Sequence, residues 1–398
     1  VLAKPAEQTP LIAALGVDLL LRAGVPASAL QLLPGDGPTV GRALTSDPRV
    51  QGVAFTGSTE TAQAIRRAMA DHLDPTAPLI AETGGLNAMV VDSTALPEQA
   101  VRDILAGAFQ SAGQRCSALR CLYLQKDVAK GITEMLFGAM DDLAPGDPWD
   151  LATDIGPVID AEAAAGIRRY IEAARAEGRV LKEGRAAATG HFVAPTVLRV
   201  RGIADMPREI FGPVLHIATF RASDLDAVVD AVNATGYGLT FGLHTRIDDR
   251  VQSVISRIRV GNTYVNRNQI GAVVGSQPFG GEGLSGTGPK AGGPHYLMRF
   301  CRLEPGMAEG GAVGHAEAGA VQAALDTEPS ARAALHVTDL PGPTGESNRL
   351  SAYPRASLLC LGPSPAQALA QAEAVRRLGG RAVEAPGLPP EALARRSG

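Results

Sequence analysis

The chain has 398 residues, of which 45% are hydrophobic and 20% charged, and its formal net charge is −4. This length accommodates two or three domains, and the charge balance argues against a nucleic-acid partner for this segment. No apolar run approaches the roughly 20 residues of a membrane helix. The four cysteines match neither a disulfide framework nor a zinc pattern, which favours free thiols, a cytoplasmic location and no bound metal.

The first third of the chain alternates predicted helices and strands. Residues 1–5 resemble the end of a buried strand and include no initiator methionine, so we expect the chain to begin inside a domain. A helix should start at Thr9-Pro10, followed by a strand over residues 50–56 and a helix from Gly57-Ser58 to about residue 70. Another strand ends at Glu82. This alternation favours a parallel sheet covered by helices.

The pattern restarts after residue 84. A strand at residues 90–91 precedes a helix over residues 97–112, a turn that carries Cys116, and a strand over residues 121–124. Helix and strand signals continue to about residue 265. The glycine-rich residues 271–293 are too irregular for either element, so we expect an ordered loop system there.

The composition changes beyond residue 305 to alanine, glycine and proline, as in a linker. We expect regular structure to return as a strand over residues 357–362, a helix over residues 367–378 and a strand over residues 381–383. This order suggests a second, degenerate copy of the dinucleotide fold.

Cys116 is the candidate nucleophile. It lies in Gly113-Gln114-Arg115-Cys116-Ser117, on a turn rather than in an apolar strand, and Arg115 beside it would favour the reactive thiolate. By itself this pattern is more often a small core residue. The remaining cysteines occupy apolar, strand-like segments, and we interpret all three as core residues: Cys121, Cys301 and Cys360.

Glu82 is the candidate base. It ends a strand immediately before Thr83-Gly84-Gly85, and strand ends of open α/β sheets are where ligands bind. A carboxylate there could activate the water that releases an acyl group from a thiol. A surface glutamate is the simpler interpretation if no partner is nearby.

Phe55-Thr56-Gly57-Ser58 predicts a strand, a turn and a helix start, where backbone N–H groups suit a pyrophosphate. The usual G-x-G-x-x-G fingerprint does not follow a strand in this chain, so the signal is weak alone.

Taken in order, six motifs resemble the aldehyde dehydrogenase superfamily, and Glu82 precedes Cys116 by 34 residues (116 − 82), which suits the family's base and nucleophile. The motifs are Lys4-Pro5-Ala6-Glu7, Phe55-Thr56-Gly57-Ser58, Glu82-Thr83-Gly84-Gly85, Gly113-Gln114-Arg115-Cys116, Glu209-Ile210-Phe211-Gly212-Pro213 and Pro278-Phe279-Gly280-Gly281.

The resemblance implies an α/β aldehyde dehydrogenase fold. It divides the chain into a Rossmann-like NAD-binding domain without its N-terminal part (1–84), an α/β catalytic domain (85–300), a linker (301–340) and the start of a degenerate dehydrogenase-like domain (341–398). Gly342-Pro343-Thr344-Gly345-Glu346-Ser347-Asn348-Arg349 and Tyr353-Pro354-Arg355 resemble that last domain in longer members, where it lacks catalytic residues.

The resemblance also implies roles for single residues. Cys116 would attack the aldehyde and Glu82 would assist hydrolysis of the thioester. The cofactor NAD would be bound by Lys4 and Glu7 at the adenosine ribose, Gly57 and Ser58 at the pyrophosphate, and Glu209 and Phe211 at the nicotinamide ribose. Glu7 would repel the 2′-phosphate of NADP. The oxyanion would be held by the Cys116 N–H and by an asparagine that precedes Lys4 in the family and is missing from this chain.

The residues after Gly261 resemble the proline utilization A branch, whose dehydrogenase module oxidises L-glutamate γ-semialdehyde. Backbone N–H groups of Gly271 and Ala272 can form an anion-binding nest for the substrate carboxylate. The resemblance adds the Ser117 hydroxyl to that nest and packs Phe279 on the aliphatic part. Leu86 departs from the branch, which usually has a polar residue there.

The same resemblance implies an FAD-dependent proline dehydrogenase module elsewhere in the parent chain, joined by a tunnel, and a homo-oligomer with possible peripheral membrane association. This segment alone should be inactive. Three alternatives remain open: a dehydrogenase for another carboxylate-bearing semialdehyde, a non-catalytic structural domain, and a thiol hydrolase that needs no NAD.

Overall fold

The computed structural model describes residues 1–301, 316–326, 334–355, 357–362 and 364–388. It divides into two compact units: Val1–Val273 with Pro278–Phe300, and Val274–Gln277 with Cys301–Gly398. No helix in these described ranges is long and apolar enough to cross a membrane.

Helices of the first unit separate its strands along the chain. The α-helices are α1 (Pro10–Arg22), α2 (Arg42–Thr45), α3 (Thr59–His72), α4 (Pro97–Phe109), α5 (Lys126–Asp141), α6 (Ala161–Ala176), α7 (Leu225–Asn233) and α8 (Asp248–Arg257). A π-helical turn covers Gly37–Gly41, and 3-10 turns cover Gln110–Gly113, Ile203–Asp205, Ala222–Asp224 and Leu297–Phe300.

The strands of the first unit form one large sheet and three strand pairs. They are β1 (Leu2–Ala3), β2 (Gln31–Leu32), β3 (Val53–Thr56), β4 (Leu79–Glu82), β5 (Ala88–Val91), β6 (Cys121–Gln125), β7 (Val180–Glu183), β8 (Thr196–Arg199), β9 (Val214–Phe220), β10 (Tyr237–Gly238), β11 (Thr240–His244), β12 (Asn262–Val265) and β13 (Glu282–Gly283). The sheet has the order β12-β11-β5-β6-β9-β8-β7, and only its β7-β8 pair is antiparallel.

The large sheet buries both faces. Alternate residues of β5 point to opposite sides, so Met89 and Val91 join one apolar cluster while Ala88 and Val90 join the other. Parallel strands covered on both faces carry nearly continuous apolar runs, as the sequence of β5 does. Helices α4, α5 and α6 supply the first cluster, and α7 and α8 supply the second.

The parallel pair β3-β4 lies outside the large sheet, and the carboxyl ends of its strands are adjacent. Thr56 is in register with Glu82, and the Gly57 N–H donates to the Glu82 carbonyl oxygen at 3.1 Å. Ser58 caps α3 by accepting from the Thr61 N–H at 3.1 Å. Thr9 precedes α1 as predicted, but its side chain makes no capping hydrogen bond.

The second unit contains two strand pairs and two helices within its described residues. They are α9 (Ala318–Asp326), β14 (His336–Leu340), β15 (Asn348–Ala352), β16 (Leu358–Cys360), α10 (Pro365–Arg377) and β17 (Ala382–Glu384). The β14-β15 pair is antiparallel and the β16-β17 pair is parallel. Regular structure therefore begins well before the predicted return at residue 357, because α9 and β14 lie inside the range 301–340.

We predicted that three cysteines lie in the core. This is confirmed for Cys121 and Cys360, which are buried, but it is wrong for Cys301, which is exposed. The apolar run before Cys301 forms the 3-10 turn Leu297–Phe300 instead of a strand. Leu297 and Met298 in that turn are largely exposed. Leu297, Met298 and Phe300 surround Arg299, and so short a mostly apolar stretch does not distinguish a buried strand from a surface turn.

Candidate active site

Cys116 lies on a turn that follows a strained piece of backbone. Helix α4 ends at Phe109, and the 3-10 turn after it holds Ser111 and Ala112 at φ of 55° and 53°. Residues other than glycine occupy this left-handed region at a cost of about 1–3 kcal/mol each, and such strain clusters at functional sites. The left-handed conformation of these two residues turns the chain away from the helix axis, and the half-buried Cys116 lies on the turn that follows.

Buried polar side chains hold this turn in place. The Asn87 amide donates to the carbonyl oxygens of Cys116 at 2.7 Å and Ala118 at 2.9 Å, and it accepts from the Thr240 N–H. The Thr240 hydroxyl in turn donates to the Ser117 carbonyl oxygen at 3.2 Å. Because these groups are buried, each unmade hydrogen bond would cost about 1–3 kcal/mol, so the turn has one favoured conformation.

The Cys116 thiol is not activated by its neighbouring arginine. Burial raises the pKa of the thiol, and the carboxylates of Glu209 and Glu82 raise it further, while the backbone N–H groups of Ser117 and Cys116 oppose the shift. Arg115 instead donates to the Ser111 hydroxyl at 3.1 Å. The prediction that Arg115 favours the thiolate was therefore wrong.

Glu82 ends β4 and faces the same site. Its Oε2 accepts from the Gly281 N–H at 2.8 Å, whereas its buried Oε1 has no hydrogen-bond partner among the residues that the structure describes. Burial raises the pKa of Glu82 to about 7, against the lowering effects of the Gly281 N–H and the Lys290 charge. A carboxyl that titrates near neutral pH and has a free oxygen is suited to accept a proton from water.

Glu209 also acts on the Cys116 thiol, and more hydrogen bonds hold its carboxylate. It accepts from the fully buried Arg120 guanidinium at 2.9 Å and 3.2 Å. Burial raises the pKa of Glu209, and Arg120 lowers it in opposition. Gly84 is required beside it, since a Cβ at that position would overlap the Glu209 carboxylate.

Arg120 also organises the residues around this ion pair. It donates to the carbonyl oxygens of Gly113 at 2.7 Å and Arg115 at 3.1 Å, and its guanidinium carbon lies 5.3 Å from the centre of the Phe211 ring. Phe211 itself is 46% exposed. One buried cation thus joins the Cys116 turn to both residues predicted to hold the nicotinamide ribose.

The other predicted cofactor residues lie on two separate segments. Gly57 and Ser58 are exposed at the start of α3, next to the end of the strand that carries Glu82. The Lys4 ammonium lies 3.4 Å from the half-exposed Glu7 carboxylate. No hydrogen bond or ion pair joins Lys4 or Glu7 to the Cys116 turn within the described residues.

The predicted substrate residues offer unused donors. The Ser117 hydroxyl makes no hydrogen bond in the described part of the chain, and neither do the N–H groups of Gly271 and Ala272. Gly271 adopts a φ of 73°, and the space where its Cβ would lie is open. Phe279 pairs its backbone with Ala291 at 3.0 Å and 2.8 Å, which fixes it one residue before Gly280.

Sequence reasoning missed three polar residues that shape this site: Asn87, Arg120 and Lys290. Arg120 carries the clearest signal, because it is a charged residue immediately before the apolar strand β6, and buried charges are rare unless paired. Asn87 and Lys290 give no comparable signal, since their hydrogen-bond partners are mostly backbone groups. Across the described residues, no group of three or more His, Cys, Asp or Glu side chains is arranged to hold a metal ion.

Comparison with known proteins finds a matching family model and several similar proteins. The model of the aldehyde dehydrogenase family matches residues 1–304. The bifunctional protein PutA of Klebsiella aerogenes is 50% identical over 95% of this chain, which covers 32% of that protein. The 1-pyrroline-5-carboxylate dehydrogenase of Geobacillus kaustophilus is 40% identical over 75% of this chain and 59% of its own length.

Among solved structures, the 1-pyrroline-5-carboxylate dehydrogenase from Thermus with bound NAD matches with a TM-score of 0.70 and 36% identity. The match covers 75% of this chain and 59% of that one. The chain thus spans about a third of the length of the PutA relative and less than two thirds of the dehydrogenases.

Proposed function

This chain belongs to the aldehyde dehydrogenase family, and we propose that it carries out NAD-dependent oxidation of L-glutamate γ-semialdehyde to L-glutamate in proline catabolism. One observation carries the proposal: a half-buried thiol and a carboxyl that titrates near neutral pH share one site. The two relatives named 1-pyrroline-5-carboxylate dehydrogenase support the choice of substrate.

The residues around Cys116 suit NAD. Exposed N–H groups at the start of α3, beside Gly57 and Ser58, would bind the pyrophosphate. Lys4 and Glu7 would hold the adenosine ribose, with Glu7 disfavouring a 2′-phosphate. Glu209 and Phe211, which Arg120 orients, would hold the nicotinamide ribose. When bound, NAD would supply the acceptor for the hydride that leaves the aldehyde carbon.

Cys116 would begin the reaction. Its thiolate sulfur attacks the aldehyde carbon, and the carbonyl oxygen becomes an oxyanion that backbone N–H groups beside the sulfur stabilise. Because burial raises the pKa of the thiol, the thiol gives up its proton to solvent before the sulfur attacks. Loss of hydride then leaves a thioester on Cys116.

Glu82 would complete the reaction. Its carboxylate takes a proton from water, and the water oxygen bonds to the acyl carbon of the thioester. The C–S bond breaks, the Cys116 thiolate leaves and the acid product forms. The unpaired Oε1 is the atom of Glu82 that is free to accept that proton.

A carboxylate on the substrate would be held by the unused donors. The Ser117 hydroxyl and the N–H groups of Gly271 and Ala272 provide three hydrogen bonds without a formal charge. Phe279 would contact the aliphatic carbons. A semialdehyde with another chain length would place either its carboxylate or its aldehyde out of position.

The larger assembly is part of the same proposal. A FAD-dependent proline dehydrogenase module in the parent chain would supply the substrate, as the relationship to bifunctional PutA suggests. We further propose a homo-oligomer in the cytoplasm, and a structural role for the second unit.

The test follows NADH formation from L-glutamate γ-semialdehyde by the full-length protein that contains this chain. Cys116→Ser should abolish NADH formation, and Cys301→Ser is the matched control because that thiol is exposed and carries no proposed role. Succinate semialdehyde should react much more slowly. A folded wild-type protein that forms no NADH from either aldehyde would support a non-catalytic domain, and product formed without NAD would support a thiol hydrolase.

A further inference from the structure

We propose that Lys290 is a positioning residue for Glu82: it fixes the loop that binds the Glu82 carboxylate and supplies the charge that keeps this base ionised. The inference rests on the proposed function only in taking Glu82 as the base that hydrolyses the acyl thiol. Among the described residues, Lys290 makes no hydrogen bond or ion pair with Cys116 or with a predicted cofactor residue.

Lys290 uses all three of its donors to join the start of β12 to the loop that carries Gly280. An ammonium has three N–H groups, and here they reach the Gly261 carbonyl oxygen, the Gly280 carbonyl oxygen at 2.9 Å and the Asn262 Oδ1 at 3.0 Å. Asn262 accepts from the Gly280 N–H at 3.3 Å and donates to the Pro278 carbonyl oxygen at 3.0 Å. Both sides of Gly280 are therefore attached, directly or through Asn262, to the same cation.

The peptide group between Gly280 and Gly281 binds both residues, because its carbonyl oxygen accepts from Lys290 and its N–H donates to Glu82. The Gly281 N–H donates to Glu82 Oε2 at 2.8 Å, and it is the only hydrogen bond to this carboxylate among the described residues. Gly280 packs so closely that a Cβ on it would lie 2.9 Å from Glu82 Oε1 and 3.1 Å from the Lys290 Cα. A shift of this loop would consequently change the position of the base and its solvation.

The Lys290 charge also lowers the pKa of Glu82. Glu82 has no direct ion-pair partner among the described residues. Of the other carboxylates, Glu282 acts on the Lys290 charge and Glu209 acts on the Cys116 thiol. Burial lowers the pKa of Lys290 to about 8, and Glu82 and Glu282 act against that lowering. Since burial raises the pKa of Glu82 to about 7 even with the cation present, removal of the cation would raise it further.

The experiment measures the pH dependence of deacylation in the full-length protein, with p-nitrophenyl acetate as the probe. This ester acylates a reactive thiol without NAD or an aldehyde, so the release of the acetyl group isolates the hydrolytic step assigned to Glu82. Two variants are compared with the wild type. Lys290→Gln keeps hydrogen-bond donors and removes the charge, whereas Lys290→Arg keeps the charge.

The deacylation rate should fall at low pH as Glu82 becomes protonated, and we call this part of the pH profile the acidic limb. We expect Lys290→Gln to move the acidic limb upward by about one pH unit, so that deacylation below pH 7 is roughly tenfold slower. The initial burst of p-nitrophenol, which reports on Cys116, should keep its amplitude. Lys290→Arg should keep the limb near its wild-type position. Near-UV circular dichroism and thermal unfolding show that each variant is folded.

An unchanged limb in a folded Lys290→Gln variant would overturn the proposal. Equal shifts in the Gln and Arg variants would also overturn it, because they would show a structural effect without a role for the charge. If the wild type deacylates with the expected limb but forms no NADH from L-glutamate γ-semialdehyde, the proposed function fails and the inference about Lys290 stands.

Discussion

The segment around Glu82 and the segment around Glu209 each bury a carboxylate beside the Cys116 thiol, but they bind it differently. Glu209 accepts two hydrogen bonds from the guanidinium of Arg120. Glu82 accepts one from a backbone N–H and leaves Oε1 without a partner among the described residues. Burial raises the pKa of both carboxyl groups.

We interpret this difference as the separation of a group that orients a ligand from a group that reacts, which the site roles proposed above require. A buried carboxylate that is bound by a guanidinium has fixed charge and fixed geometry, so it is suited to hold a ligand. A buried carboxyl that accepts only one backbone hydrogen bond has a pKa raised by burial toward neutral pH. It can therefore take up and release a proton during turnover. The following predictions test this contrast.

The largest effect should follow Glu82→Gln. The amide cannot accept a proton from water, so hydrolysis of the acyl thiol should slow by roughly 10²–10⁴-fold. The first turnover should still form NADH, and the acylated protein should accumulate, which mass spectrometry of the quenched reaction can detect. The exposed Glu134→Gln serves as the control. Unchanged steady-state turnover in Glu82→Gln would exclude Glu82 as the base.

The second effect should follow Arg120→Met. Loss of the guanidinium leaves the Glu209 carboxylate and several carbonyl oxygens buried without their donor, which should lower the free energy of unfolding by about 3–5 kcal/mol. Urea denaturation measures this change. Arg49→Met removes an ion pair whose arginine is 87% exposed and should change stability by less than about 1 kcal/mol. Similar losses in both variants would contradict the special role of Arg120.

The third effect concerns the free energy of unfolding that is lost when the buried Glu82 ionises. Its pKa in the folded chain is about 7 against an ordinary value of 4.5, so the folded state binds the proton more tightly than the unfolded state. The free energy of unfolding should therefore fall as pH rises from about 4.5 to about 7, by about 3 kcal/mol for this group.

Glu82→Gln cannot ionise and should escape this loss. We expect it to be more stable than the wild type above pH 7 and similar to it near pH 4.5, as measured by urea denaturation at several pH values. If the two proteins differ in their free energy of unfolding by the same amount at every pH, the pKa of Glu82 is not raised in the folded chain.

The smallest effect should follow Gly84→Ala. The added methyl group would overlap the Glu209 carboxylate, and relief of that overlap should cost about 1–3 kcal/mol of stability and weaken NAD binding. Gly138→Ala in α5 is the matched control, because the space around Gly138 is open and alanine favours helices. Thermal unfolding and NAD titration of both variants give the comparison.

Local patterns were sufficient for much of the framework. The alternation of apolar runs and turn residues predicted β3, α3 and β4 to within three residues, because each of these elements depends on near neighbours in sequence. The family resemblance located Cys116 and Glu82 from motif spacing. Local reasoning failed for Cys301, whose preceding residues form an exposed turn. Roles for the cofactor and substrate residues remain predictions.

The sequence by itself determined the family and the candidate thiol and carboxyl, since short motifs preserve both residue type and spacing. Only the tertiary structure decided how these groups are charged and held. Arg120 and Glu209 are 89 residues apart, and Glu82 is 199 residues from the N–H that binds it. The pKa of a buried group depends on every atom that replaces water around it. Those atoms come from distant segments, so neither the partners nor the proton affinity of Glu82 can be read from its own motif.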